Sequence, residues 1–438
     1  MAPLLGWYGD DFTGATDTLA VLTQAGLRAL LFLDVPDANQ QAAAARALGG
    51  ELQAVGIAGA ARTLSPPEMA AALAPVGDFF RGLQVPVLHY KVCSTFDSAP
   101  HVGSIGTAIR VLRRSVDNPF VPIVGGQPSL GRYCAFSNLF AAAGRGGAVE
   151  RIDRHPTMRQ HPVTPMAEAD LRRHLSLQGL EPVAALHYPL YAEDETTQDA
   201  AVSAAIDGHA PAVLLDAAAP EHLAAIGRIV WEQAQRERLL AVGASSVAQA
   251  LVAHWGPDAA AAEAPLAPAS APLLVFAGSL SPVTARQVTA TRSFERVALD
   301  ASDLLDPERA VAASARLAAL LRAGRHVLAC TAPAQAGSAD SSRSGELAAA
   351  SARLLRGLLL DLAARGMRLP RVGIAGGDTS SLAVDALGLW GLSYRAALGP
   401  GVTVSRAHAD DPVFDGLELM LKGGQMGGEQ VFEQLLGA

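Results

Sequence analysis

At 438 residues the chain is longer than one hydrophobic core ordinarily accommodates, so two domains are expected. Half of the residues are hydrophobic and only 17% are charged, which excludes a disordered chain and fits well-buried α/β cores. The net charge of −8 leaves no basic footprint for nucleic acid or an anionic membrane surface.

Short apolar runs alternate with longer helical patterns, the mark of largely parallel sheets flanked by helices. The chain opens with a predicted strand at Leu4–Tyr8 and a helix at Thr13–Ala25. Strands are predicted next at Ala29–Leu33, Gln53–Ala58, Pro86–Lys91 and Val121–Val124, with helices at Pro66–Arg81 and Val102–Ser115. Residues Gly125–Thr164 lose this rhythm and read as a long irregular excursion of a functional kind. The rhythm returns with strands at Pro182–His187, Val213–Asp216 and Leu239–Val242. The Ala/Pro-rich stretch Asp258–Pro272 is the sharpest break in composition and reads as a linker. Beyond it, strands are predicted at Leu273–Ala277, His326–Cys330, Arg371–Ala375 and Glu418–Leu421. The expected division is therefore a domain over 1–257, a linker over 258–272 and a second domain over 273–438.

Two further features bear on location. The uncharged stretch Ala264–Ala285 holds Pro265, Pro268, Pro272 and Pro282, so it is no membrane helix. Cys93, Cys134 and Cys330 lack metal-like spacing, and the N-terminus lacks the basic and apolar regions of a signal peptide. Reduced thiols in a cytoplasmic protein are expected.

Chemistry concentrates where strands end. Gly9-Asp-Asp-Phe-Thr-Gly-Ala-Thr-Asp17 sits at a strand–helix junction, the position where open parallel sheets bind ligands. Asp10 and Asp11 there suit hydroxyl recognition, metal coordination or general base work; a plain helix cap is the alternative. Tyr90-Lys-Val-Cys-Ser-Thr-Phe-Asp-Ser98 offers Lys91 for negative charge, Ser94 and Thr95 for hydroxyls and Asp97 as acceptor. It also reads as a polar turn in which Asp97 and Ser98 cap the next helix. In the excursion, Arg132, Asn138, Arg154, His155 and His161 stand out. An arginine suits a carboxylate, whereas the two histidines have no zinc-like spacing.

In the second half, Phe276-Ala-Gly-Ser-Leu-Ser-Pro282 and Arg371-Val-Gly-Ile-Ala-Gly-Gly-Asp-Thr-Ser-Ser381 each run from a strand into a small polar turn. Such turns can surround phosphate oxygens with amides and hydroxyls. Leu421-Lys-Gly-Gly-Gln-Met-Gly-Gly-Glu429 is a third glycine-rich element. No GxxxxGK[ST] loop and no GxGxxG after a strand is present, which disfavours a P-loop kinase or a Rossmann dehydrogenase.

These motifs, in this order, resemble the four-carbon acid sugar kinase family over essentially the full length. GDDFTGATD is similar to the family's ADDFTGA-type opening. YKVCSTFDS followed by VGSIGTAI, and QHPVTPM at Gln160–Met166, resemble the 3-oxo-tetronate kinase branch. GGDTSS and LKGGQMGGEQVF resemble the family's nucleotide signature and its ending, with Gly424-Gln425 where a Gly-Asn pair is usual. The resemblance implies an N-terminal sugar-acid domain, a C-terminal nucleotide domain and an active site in the interdomain cleft. It assigns Ser279, Gly376, Gly377, Asp378, Thr379 and Gly423 to ATP, and Asp10, Asp11, Ser94, Thr95, Arg132 and Asn138 to the sugar acid. Asp11 is the expected catalytic group, with ATP and Mg2+ as cofactors and a homodimer as a possible assembly. The expected substrate is a 3-oxo-tetronate, with branched 3-oxo-isoapionate, or threonate and erythronate, as alternatives. A sugar-acid-binding regulatory module is the non-enzymatic alternative.

Overall fold

The computed structural model describes residues 2–143, 147–256, 265–278, 281–331, 344–399 and 401–437. The chain divides into two compact units, 1–262 and 263–438.

In the first unit the strands are β1 (Leu5–Gly9), β2 (Ala29–Phe32), β3 (Ala54–Ala58), β4 (Val87–Lys91) and β5 (Pro122–Gly125), then β6 (Arg132–Ala135), β7 (Asn138–Ala142), β8 (Val149–Arg151), β9 (Val183–Leu186), β10 (Ala212–Asp216) and β11 (Leu239–Gly243). The main sheet runs in the order β2-β3-β1-β4-β11-β5-β10-β9, and every pairing within it is parallel. Runs such as LGWYG, ALLF and AVLLD are buried along their whole length, as expected of strands covered on both faces. β1 leads through the Phe12–Gln24 helix to β2 on one side, whereas β4 leads to β5 on the other. The crevice between the ends of β1 and β4 is therefore a topological switch point, where ligands of open α/β sheets bind.

The excursion is more ordered than its composition predicts. β6, β7 and β8 form a small antiparallel sheet inside Gly125–Thr164. Its first turn holds Phe136 and Ser137 at φ of 48° and 67°, a region that costs side-chain-bearing residues energy. The carboxylate of Asp216, fully buried at the end of β10, accepts both amides, at 2.7 and 3.0 Å. A distant side chain thus holds a turn that the local sequence would not choose.

The second unit contains β12 (Leu274–Ala277), β13 (Phe294–Leu299), β14 (His326–Thr331), β15 (Arg371–Ala375), β16 (Leu389–Gly399), β17 (Val402–Ala409) and β18 (Glu418–Lys422). The order is β13-β14-β12-β15-β18-β17-β16, parallel as far as β18 and antiparallel beyond it. β13 and the β16–β17 hairpin were not among the predicted strands. β12 connects toward β13 and β15 toward β16, so the ends of β12 and β15 form a second switch point. Among the described residues no helix is long and apolar enough to cross a membrane.

Candidate functional site

At the first switch point the backbone of β1 delivers Asp10 and Asp11 beside the end of β4, where Lys91 emerges. Asp11 is the N-cap of the Phe12–Gln24 helix, its Oδ1 accepting from the Gly14 amide at 3.0 Å. The same oxygen accepts from Arg62 Nη2 at 3.1 Å and lies 3.7 Å from Lys91 Nζ. One carboxylate thus caps the helix and pairs with both cations. Oδ2 of Asp11 has no partner among the described residues. Burial pulls Asp11 upward, but Lys91 and then Arg62, with the Gly14 amide, hold it below the ordinary carboxylate value. Asp10 is buried and takes Arg62 Nη2 at 2.7 Å. Its burial, ahead of every charge around it, pushes it above the ordinary value.

Arg62 is the residue that sequence reading missed. It lies in the short turn after β3, and β3 pairs with β1, so only the sheet order brings it to the aspartates. A lone arginine in GIAGAARTLS carries no local signal of this.

The Ser94–Ser98 loop departs from both sequence readings. Asp97 and Ser98 do not cap the next helix; Ser104 caps Ile105–Leu112. Thr95 is not an open donor, because its hydroxyl donates to Asp97 Oδ1 at 2.6 Å. Ser98 Oγ donates to Phe96 O and meets His174 Nε2, each at 2.9 Å, which ties the loop down. The half-buried Ser94 hydroxyl has no partner among the described residues. Cys93 contacts Thr95 Oγ1 at 3.0 Å, and desolvation, ahead of the nearby Asp97 charge, pushes its thiol up to about 11. Such a thiol is no nucleophile at neutral pH. The three cysteines are free, as expected.

Arg132 and Asn138, both assigned to the sugar acid by resemblance, lie at opposite ends of the β6–β7 hairpin. Arg132 pairs with Ala141 at one end and Asn138 with Ala135 at the turn. Arg132 lies within electrostatic reach of Cys93, its Nη1 donates to Leu130 O at 2.8 Å, and its buried Nε has no partner. Asn138 opens β7, and its side-chain amide donates to Phe136 O at 2.9 Å. His155 accepts from the amides of Thr157 and Met158, and His161 from that of Thr164; both are packing residues of the loop.

At the second switch point three turns are stitched side by side. The Gly278 amide donates to Ala375 O, and the Gly376 amide to Lys422 O, both at 2.9 Å. Gly376 has φ 130°, a conformation that L side chains rarely adopt. Gly377 begins the next helix, and a Cβ added there would meet nothing within 4 Å. Thr379 is buried against Gly278, and Gly423 follows β18 directly. Ser279 and the side chain of Asp378 lie outside the described residues. Lys422 is fully buried, donating to Thr284 Oγ1 at 3.2 Å and Gly423 O at 3.0 Å. Among the described residues, no group of three or more His, Cys, Asp or Glu could hold a metal ion.

Residues 5–251 match the sugar-binding N-terminal domain family, and residues 274–432 the nucleotide-binding C-terminal domain family. Joined in one chain, these domains define a sugar-acid kinase. A 3-oxo-isoapionate kinase of Paraburkholderia graminis is 39% identical, over 98% of this chain and 93% of that protein. A 3-oxo-tetronate kinase of Methylobacterium radiotolerans is 32% identical, over 100% of this chain and 99% of that protein. A crystal structure from Salmonella typhimurium LT2 superposes with a TM-score of 0.80 at 26% identity, covering 98% of both chains. The chain belongs to the four-carbon acid sugar kinase family.

Proposed function

We propose that this protein transfers the terminal phosphoryl group of ATP to a terminal hydroxyl of a 3-oxo sugar acid, with Asp11 orienting or deprotonating that hydroxyl. The observation that carries the reading is the asymmetry of Asp11: Oδ1 is anchored by Gly14, Arg62 and Lys91, while Oδ2 has no partner among the described residues. A carboxylate fixed by one oxygen can receive a proton on the other, and phosphoryl transfer asks mainly for such alignment and for charge neutralisation. The acceptor oxygen forms its bond to the γ-phosphorus as the bond to the β–γ bridging oxygen breaks. The hydroxyl proton passes to Asp11, and ADP leaves. Lys91 and the unpartnered Nε of Arg132 supply donors for the acid's carboxylate or its keto oxygen. The turns carrying Ser279, Gly376, Gly377, Asp378, Thr379 and Gly423 take the nucleotide. Mg2+ would arrive on the polyphosphate, as is usual for this hard cation; no residue of this chain is assigned to it. The reading places the reaction in the cytoplasm.

Motif resemblance alone points to a linear 3-oxo-tetronate. The 39% identity to the 3-oxo-isoapionate kinase, against 32% to a 3-oxo-tetronate kinase, favours the branched acid. Sites that hydrogen-bond a particular group discriminate strongly against analogues lacking it. Coupled ADP-release kinetics with 3-oxo-isoapionate, 3-oxo-tetronates, threonate and erythronate test this. The 3-oxo acids should lead in kcat/KM, with 3-oxo-isoapionate first. A preference for threonate or erythronate would overturn the substrate, and binding without turnover of any acid would overturn the kinase reading.

A further inference from the structure

The glycine-rich segment after β18 is held by one side of the Pro282–Ala290 helix. At the N-cap of that helix Ser281 Oγ donates to Gly424 O at 2.6 Å, and Thr284 Oγ1 donates to the same oxygen at 2.9 Å. Fully buried Gln287 shares its Nε2 among the carbonyls of Met426, Gly427 and Gly428, at 2.9, 3.0 and 3.1 Å. The three side chains recur at every third position and so line one helix face. Lys422 Nζ, which also donates to Thr284 Oγ1, donates to Gly423 O at 3.0 Å. The carbonyls of residues 423, 424, 426, 427 and 428 are thereby drawn to one side.

In a trans peptide the N–H points opposite to the C=O of the same unit. Capturing those carbonyls therefore aims the amides of Gly424, Gln425, Gly427, Gly428 and Glu429 away from the helix. None of these five amides has a partner among the described residues. Gly427, at φ 86°, allows the chain to turn while its Cβ position is crowded by Val402, Val431 and Gln287. Gln287 Oε1 is itself buried without a partner, so its amide group is placed for its donors. The segment lies beside the Gly376 turn, whose amide bonds Lys422 O. Outward-facing consecutive amides form a concavity for anions.

We propose that Gln287 and Thr284, backed by Lys422, are positioning residues for the polyphosphate of ATP: they hold the carbonyls of 423–428 inward so that the amides of the segment meet the phosphates. This rests on the kinase reading, and it assigns the Pro282–Ala290 helix a part in nucleotide selection without requiring it to touch the nucleotide. The test is calorimetry with ADP and AMP on Thr284→Val, Thr284→Ser and Gln287→Met, with thermal unfolding as the check on folding. Thr284→Val and Gln287→Met should each lose about tenfold or more in ADP affinity. Their AMP affinity should change far less, and Thr284→Ser, which keeps the hydroxyl, should retain ADP binding. Equal losses for ADP and AMP, or equal behaviour of the Val and Ser variants, would overturn the inference. Should Gln287→Met fail to fold, the Val/Ser pair decides alone. A wild-type protein that binds no ADP overturns the kinase reading itself, an outcome distinct from wild-type binding that the variants leave unchanged.

Discussion

A methyl group on residue 14 would occupy the space of Lys91 Nζ and crowd Asp11 Oδ1, so the glycine at 14 is what allows the Lys91–Asp11 pair to form. Gly14→Ala should push the ammonium off the carboxylate and release Oδ1 from one of its three anchors. The expected loss in kcat/KM is about 10²-fold, the scale of a displaced reacting group, with ADP affinity retained. Turnover near wild type would show that the pair is dispensable.

Asp11→Asn keeps the shape of the side chain and removes its charge. A drop in kcat of about 10²–10⁴-fold is expected for a general base, while ADP affinity, measured by calorimetry, should hold. The amide can still accept from the Gly14 N–H, so the cap survives and Tm should fall only modestly. Near-normal turnover would reduce Asp11 to a capping residue.

Gly377→Val examines the nucleotide turn. Since a Cβ there meets nothing within 4 Å, the folded chain has room for the new side chain. Any block falls on the ligand. ADP affinity should be largely abolished at unchanged affinity for the sugar acid; a folded variant that binds ADP normally would remove this turn from the site.

Stability should depend on pH through Lys422. Burial pushes the Lys422 ammonium down to about 8 from its ordinary 10.5, with Phe432 at 5.9 Å and no ion pair to a described carboxylate. Below pH 8 the group is charged in both the folded and unfolded states, and its desolvation penalty is fully present. Between 8 and 10.5 the unfolded chain binds more protons than the folded one, so stability rises with pH through that window. Lys422→Met should abolish this contribution. Urea unfolding of both proteins across the window is the measurement, and parallel slopes would refute the assignment.

The sequence made some of this architecture legible and concealed the rest for physical reasons. Asp10 and Asp11 could be placed because a buried apolar run ends and a capped helix begins at the same spot. The glycine turns of the second unit were readable on the same logic, from strand to small residues to helix. Arg62 was not, since its meeting with Asp10 depends on β3 lying beside β1, fifty residues away in the chain. Nor was the parting of Arg132 from Asn138, which follows from a hairpin register rather than from spacing. β16 and β17 were not legible either: buried and exposed positions do not alternate along LWGLSYRAALG and VTVSRAHA, and it is their long antiparallel pairing that marks them as strands.

The hold of Asp216 on the Phe136–Ser137 turn also bears on the order in which the chain acquires structure. During synthesis the hairpin emerges about eighty residues ahead of the carboxylate that makes its turn affordable. Until β10 has docked, two side-chain-bearing residues would have to sustain left-handed backbone without that carboxylate, with only the local bond from Asn138 to Phe136 O. The part of the first unit that carries Arg132 is thus expected to mature late, after the central strands are in place. Pulse-labelled hydrogen exchange during refolding reads this directly: the amides of Phe136 and Ser137 should gain protection together with those of β10, and protection of the turn ahead of β10 would refute it.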